Sequence, residues 1–186
     1  MNYRVGLFND SFPPTIDGVA NTVVNYAKCI KNQGGEPIVV TPKYPHVTDD
    51  YPFAVYRYQS LGVEQFIGYR AGNPFNPVML RELRSMKMDL YHVHCPFASA
   101  VLVRALRGFS RRVPVVLTYH TKFDIDIRQR VHSPHLQKIV RKFVLNNIKA
   151  ADEVWAVSQG AAESLRHLGY RGGFRVMQNG TDFRRG

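Results

Sequence analysis

Cysteine is nearly absent: Cys29 and Cys95 are the two thiols in 186 residues. The first lies inside a helical pattern and the second at a strand end, so no disulfide framework and no CxxC metal site can be written, and a reducing cytoplasm is the expected compartment. No apolar run reaches the roughly 18 residues that a membrane span requires, and the N-terminus enters a short strand-like run with no basic segment or cleavage site before it. The expectation is a soluble, cytoplasmic chain whose membrane contact, if any, is peripheral and at the inner face. Acidic side chains are also scarce, with 14 Asp and Glu against 25 Lys and Arg and a formal charge of +11. That balance favours phosphate-bearing partners, whether nucleotides, nucleic acid or anionic lipid, without choosing among them. Internal repeats and low-complexity tracts are lacking too. Hydrophobic residues make up 45% of the chain, enough for one domain with one substantial core.

Strand-like runs recur at Arg4–Asn9, Pro37–Thr41, Phe53–Tyr58, Asp89–His94, Val113–Tyr119, Glu153–Ser158 and Phe174–Gln178. Most are near-continuous apolar stretches, which belong in sheets covered on both faces. Helical patterns occupy Val19–Gln33, Pro77–Met86, Phe97–Phe109, Pro134–Ala150 and Gly160–Leu168. Strands alternating with helix-length crossovers predict an α/β fold, a doubly wound Rossmann-like parallel sheet of about seven strands with helices on both faces. Gly34-Gly35 stops the first helix, Ser158 caps the last and Gly169 ends it. Between residues 42 and 77, five prolines among glycines and aromatics predict one short strand flanked by loops. The last residues, Asn179 to Gly186, form no element and read as the start of a linker; the Asn179-Gly180-Thr181 glycosylation pattern is taken as accidental.

In such a sheet, ligands sit at the carboxyl ends of the strands. The run Val113 to Leu117 delivers Thr118-Tyr119-His120-Thr121-Lys122 to that edge, and the first strand delivers Asn9-Asp10-Ser11-Phe12-Pro13-Pro14. Asp17-Gly18-Val19-Ala20 then opens a helix without GxGxxG spacing, so no dinucleotide fingerprint is present. Gly18 is either a plain turn glycine or a place where backbone can approach a phosphate at a helix N-terminus. His120 is the strongest single candidate, able to hydrogen-bond a substrate hydroxyl or to take part in proton transfer. His92-x-His94 places two imidazoles on one face of a strand, followed by Cys95, but no carboxylate has convincing spacing and histidines packed against a helix are the commoner outcome. Basic residues concentrate at Arg104–Arg112 and Lys122–Lys149. Aromatic residues are not interleaved as a nucleic-acid stacking platform needs, so nucleic acid is not expected, and an anionic membrane accounts for the charge at least as well.

Taken in order, Phe8-Asn9-Asp10-Ser11-Phe12-Pro13-Pro14 with Asp17-Gly18-Val19-Ala20, then Asp89 to Phe97, then Val113 to Thr121, and finally Ala151 to Ser158 with Asn179 to Phe183 resemble the amino-terminal domain of family 4 (group 1) retaining glycosyltransferases. The resemblance covers nearly the whole chain and rests on several motifs in sequence order. It implies the first half of a GT-B architecture, in which two Rossmann-like domains face a cleft. Residues 1–178 are then the acceptor-side domain and 179–186 the start of the interdomain linker, with the carboxy-terminal nucleotide-sugar domain absent. It further implies transfer of a hexose from a nucleotide-diphosphate sugar to a lipid or glycan hydroxyl, with retention, without cofactor or divalent metal, and without activity in this polypeptide alone. By the same resemblance Gly18 lies against the donor diphosphate, His120 contacts the transferred sugar near the reaction centre, and Asp10, Phe12 and Lys122 line the acceptor pocket. Where the family often has paired glycines, this chain has Asp17-Gly18.

Two other readings compete with this one. A self-sufficient basic module for anionic membrane or nucleic acid would need only the charge. A metal-dependent hydrolase would need His92 and His94 as ligands.

Overall fold

The computed structural model describes residues 3–15, 17–62, 70–108, 113–120 and 131–179. In chain order the elements are β1 (Arg4–Phe8), α1 (Gly18–Asn32), β2 (Glu36–Pro42), β3 (Ala54–Tyr58), β4 (Ser60–Leu61), β5 (Ala71–Gly72), α2 (Pro77–Ser85), β6 (Leu90–Val93), α3 (Ala98–Arg107), β7 (Val115–Tyr119), α4 (Pro134–Lys149), β8 (Glu153–Ala156), α5 (Gln159–Leu168) and β9 (Arg175–Val176). Every strand expected from the apolar runs is present, and so is every expected helix. The seven-stranded sheet runs β3-β2-β1-β6-β7-β8-β9, and each pairing is parallel. The order reverses beside β1, between β2 on one side and β6 on the other, which makes that junction the topological switch point of a doubly wound sheet.

Local sequence accounts for the helix boundaries. Asp17, Asn76, Ser133 and Ser158 each sit at an N-cap with the side chain accepting a backbone N–H of the first turn, and Pro77 and Pro134 occupy first-turn positions where no N–H is needed. Gly169 ends α5 at φ +106°, a left-handed conformation that side chains with a Cβ resist. α3 alone among these helices has no side-chain cap from its own N-cap residue, Phe97, and receives one from elsewhere in the chain. The feature absent from the sequence reading is the hairpin β4–β5, antiparallel with Ser60 opposite Gly72 and Leu61 opposite Ala71. Strands of two residues are too short to show a period of two. Arg70 holds the hairpin, donating to Ser60 and lying over the Tyr44 ring.

Strand alternation divides the core in two where one was expected. Val5 and Leu7 of β1 and Val39 of β2 face α1, packing with Val23, Ala27, Phe12 and Phe53. Phe8 and Val40 point the other way, into the larger cluster that includes Met79 and Leu83 of α2, Leu102 and Leu106 of α3, Val144 and Ile148 of α4 and Leu165 and Leu168 of α5. β7 is buried along its whole length, as a strand covered on both faces must be. Truncating its centre, Leu117→Ala, is expected to cost about 3 kcal/mol of unfolding free energy. Leu61→Ala, on a side chain that is 64% exposed, should change stability by less than about 0.5 kcal/mol. Urea titrations of the two variants check both values.

Candidate active site at the carboxyl edge

Register brings the polar strand ends together. Phe8 pairs with Val93 and Val93 with Leu117, so Asn9-Asp10, His94-Cys95 and His120 all leave the sheet at one edge. The ladder continues briefly past the strands through His94 N–H to the Phe8 carbonyl, 2.8 Å, and Asn9 N–H to the Val40 carbonyl, 3.2 Å. On the α1 side of β6 and β7 an otherwise apolar sheet carries a polar seam. His92 Nε2 lies 2.7 Å from Thr118 Oγ1, and His94 Nδ1 lies 2.9 Å from His120 Nε2. Each bond spans 26 positions in sequence, because side chains two apart on a strand share a face and both β6 residues reach the same distance along β7. The His92 and His94 rings are 4.1 Å apart between centroids, Tyr26 of α1 packs on both, and Trp155 meets His92 edge-on.

Burial keeps these imidazoles neutral. His92 is pushed down to about 3 by burial and then by the neighbouring His120. His94, fully buried with no partner for Nε2, is held well below the usual histidine range by burial, His92 and His120. His120 sits at the rim, half-buried, and burial lowers it to about 4 although the Asp17 carboxylate favours its charged form. Asp17 also accepts the Ala20 N–H at 2.7 Å as the α1 cap, and the first helical hydrogen bond runs from Asn21 to the Asp17 carbonyl. The Gly18 and Val19 N–H groups precede that bond and have no partner among the described residues. A Cβ at Gly18 would meet nothing within 4 Å, so the backbone there faces open space. The Asp17 carboxylate acts on His120, so the imidazole lies towards the end of α1 that Gly18 opens.

The other expected site residues have different surroundings. Asp10 is buried, accepting from Ala98 N–H at 3.0 Å, Ser99 N–H at 2.7 Å and Ser99 Oγ at 2.5 Å. It is the missing cap of α3, supplied from the end of β1, and burial raises its carboxyl above the ordinary value against the opposing effect of these bonds. Phe12 is fully buried in the α1-side core, with the Arg57 guanidinium 5.6 Å from its ring centroid. Arg57 also grips both Asp49 oxygens at 2.7 Å and the Pro13 carbonyl at 2.7 Å, fixing the loop that follows β1. Lys122 lies outside the described residues. Sequence reasoning missed Arg57, Tyr26, Thr118 and the His94 contact with His120; the signal for the last was the matching of His92-x-His94 to Thr118-x-His120, visible only once the two strands are paired. Among the described residues no group of three His, Cys, Asp or Glu is placed to hold a metal ion, and His92 and His94 spend ring nitrogens on Thr118 and His120.

A seven-stranded parallel sheet with helices on both faces is the Rossmann-like half of a GT-B glycosyltransferase fold. The profile of Glycosyltransferase Family 4 matches residues 16–185, and the chain belongs to that family. It is 26% identical over 148 residues to the alpha-monoglucosyldiacylglycerol synthase of Acholeplasma laidlawii, covering 78% of this chain and 35% of that protein. It is 24% identical over 174 residues to the GDP-mannose-dependent alpha-mannosyltransferase of Corynebacterium glutamicum, covering 89% and 40%. The chain thus spans well under half the length of these curated relatives. Among solved structures, sucrose-phosphate synthase from Thermosynechococcus elongatus superposes with a TM-score of 0.71 at 17% identity, over 97% of this chain and 49% of that one, a likeness of fold.

The depressed histidines set a pH dependence of stability. Unfolded, an imidazole takes its proton near 6.5, whereas folded His92 and His120 stay neutral down to about 3 and about 4. Between those values the unfolded state binds more protons, so stability falls as pH falls. Asp10 acts oppositely above its ordinary value of 3.8, since the folded state holds that proton more tightly. His92 alone should remove about 2 kcal/mol between pH 7 and pH 5. The urea midpoint is expected to be lower at pH 5 than at pH 7, and the difference to narrow in His92→Gln.

Proposed function

We propose that this chain is the acceptor-side domain of a retaining hexosyltransferase, residues 1–178, which moves a hexose from a nucleotide-diphosphate sugar to a lipid or glycan hydroxyl and works only with a second, nucleotide-sugar-binding domain. The observation that carries this reading is the action of Asp17, the N-cap of α1, on His120 at the end of β7, beside a helix start where the Gly18 backbone is open. A helix N-terminus with free N–H groups favours a diphosphate, and a neutral imidazole beside it suits a sugar oxygen. The relatives support the donor and acceptor classes, one being named for GDP-mannose and another for a glucosylated diacylglycerol. Asp10 and Phe12 support the acceptor pocket by fixing α3 and the loop after β1, and the family resemblance adds Lys122 to its lining. The reaction needs no divalent metal; the donor phosphate and fixed dipoles hold an oxocarbenium-like transition state.

Two measurements test the division of labour. The purified chain should bind UDP-glucose and GDP-mannose weakly or not at all by calorimetry and should turn over neither, because it offers only part of a diphosphate site. Micromolar binding or turnover would overturn it. In the full-length protein that carries this domain, His120→Ala is expected to lower kcat about 100-fold or more, as loss of one transition-state hydrogen bond does; an unchanged rate removes His120 from the site.

The acceptor's surroundings follow from α4. Its exposed face carries Leu136, Ile139 and Phe143, each at least 41% exposed, beside exposed Lys138, Lys142 and Lys149, and the helix contains no acidic residue. Such a helix suits an anionic bilayer surface, with close lysines worth about 1 kcal/mol each. Arg104 and Arg107 serve the fold instead, bonding Asn147, the Ala150 carbonyl and Asp152; Arg111 and Arg112 lie outside the described residues. Co-sedimentation with phosphatidylglycerol vesicles should exceed that with phosphatidylcholine, weaken with salt, and fall about 30-fold in Lys138→Ser/Lys142→Ser. Equal binding to both vesicle types would leave a soluble acceptor.

A further inference from the structure

The seam of histidines ends at a ring whose proton position decides what the candidate site can do. His94 is 1% exposed, its Nδ1 is 2.9 Å from His120 Nε2, and its own Nε2 is buried with no hydrogen-bond partner among the described residues. Two neutral arrangements satisfy the His94–His120 contact. In one, His94 carries its proton on Nδ1 and donates, leaving a bare lone pair on the buried Nε2. In the other, His94 accepts at Nδ1 and must then bury an N–H at Nε2 with nothing to receive it. An orphaned buried N–H is the rarer and costlier of the two defects. The neutral imidazole carries one proton, so choosing its place on His94 also chooses its place on His120.

We propose that His94 is a positioning residue that fixes the tautomer of His120: its Nδ1–H donates to His120 Nε2, so His120 keeps its proton on Nδ1 and offers a neutral hydrogen-bond donor to a ligand oxygen, phosphate or sugar hydroxyl. His120 Nδ1 has no hydrogen-bond partner among the described residues and is not one of the buried unpartnered side-chain atoms. In this state His120 cannot act as a general base toward the ligand, because the nitrogen that would accept a proton is occupied by His94. The charged groups facing the pair do not reverse the assignment. Asp17 favours an imidazolium at His120 but is outweighed by burial. His92, tilted against the His94 ring, opposes any charge there and bonds Thr118 rather than either ring.

The relevance to a ligand rests on the reading of His120 as a site residue, whereas the tautomer itself does not, and the test separates the two. Long-range proton–nitrogen correlation spectra of the chain labelled with ¹⁵N-histidine, recorded at pH 7, distinguish bare from protonated ring nitrogens in each of the seven histidines. His94→Asn and His120→Asn assign the two spin systems by their loss. Both rings are expected to be protonated at Nδ1 and bare at Nε2. In His94→Asn the side-chain amide can still donate, so the His120 pattern should be retained. In His94→Asp the carboxylate can only accept, so the His120 proton should move to Nε2 or both nitrogens should become protonated. A wild-type His120 protonated at Nε2 overturns the proposal whether or not the aspartate variant folds, and so does a His120 pattern in a folded His94→Asp variant that matches the wild type. If the tautomer is as expected while His120→Ala leaves transfer by the full-length protein intact, the functional reading fails and the His94 bond stands.

Discussion

The carboxylate of Asp10 ties together the parts of the domain that make its working edge. Leaving the end of β1, it enters the N-terminus of α3, a helix that begins at Ala98 without a cap of its own. It thereby fixes where α3 starts relative to the switch point and pins the turn from β6, through Cys95 and Pro96, between strand and helix. The same helix is clasped from its far side: Asn147 of α4 donates to the Pro96 carbonyl and accepts from Arg104. A charged group buried this way is costly to desolvate, which is why its carboxyl is raised, and the cost is tolerable because each oxygen has donors.

Across the sheet the design is different. The α1 face near β1 and β2 is dry, lined by Val5, Leu7 and Val39, but on β6 and β7 it changes to imidazoles and a hydroxyl. Such a seam stabilises a fold less than aliphatic side chains of the same volume would, unless its members pair. Here they pair strand to strand, at equal offsets, and the last pair reaches the rim. The rim histidine therefore owes its setting to residues that touch no ligand, and α1, through Tyr26 below and Asp17 above, closes the seam on its open side.

Much of this was legible in the sequence. Strands buried on both faces announce themselves as apolar runs, so the seven-strand order of elements and the caps Ser158 and Gly169 could be read directly. The hairpin of Ser60 and Gly72 could not, because two residues carry no period. The positions of Asp10, Phe12, Gly18 and His120 at one edge followed from parallel topology, but their tasks did not: whether a carboxylate at a strand end faces solvent or caps a helix 88 residues further on depends on tertiary placement. Likewise a pair of histidines two apart can be read as metal ligands, core or relay until the neighbouring strand supplies Thr118 and His120. Arg57 was read only as part of a strand, since its partners Asp49, Pro13 and Phe12 converge from separate loops.

The two cysteines differ in a way that reaches beyond the absence of a disulfide. Cys95 lies in the turn below the α3 cap, its thiol against Asp10, and burial together with that carboxylate holds the thiolate form far out of reach. Cys29 stands exposed on α1. Thiolate, not thiol, reacts with electrophiles, so burial and Asp10 protect Cys95 while Cys29 is the accessible sulfur, near the far end of the helix that begins at Gly18. A fluorophore placed there would report on the surroundings of α1 without any cysteine having to be engineered in or removed.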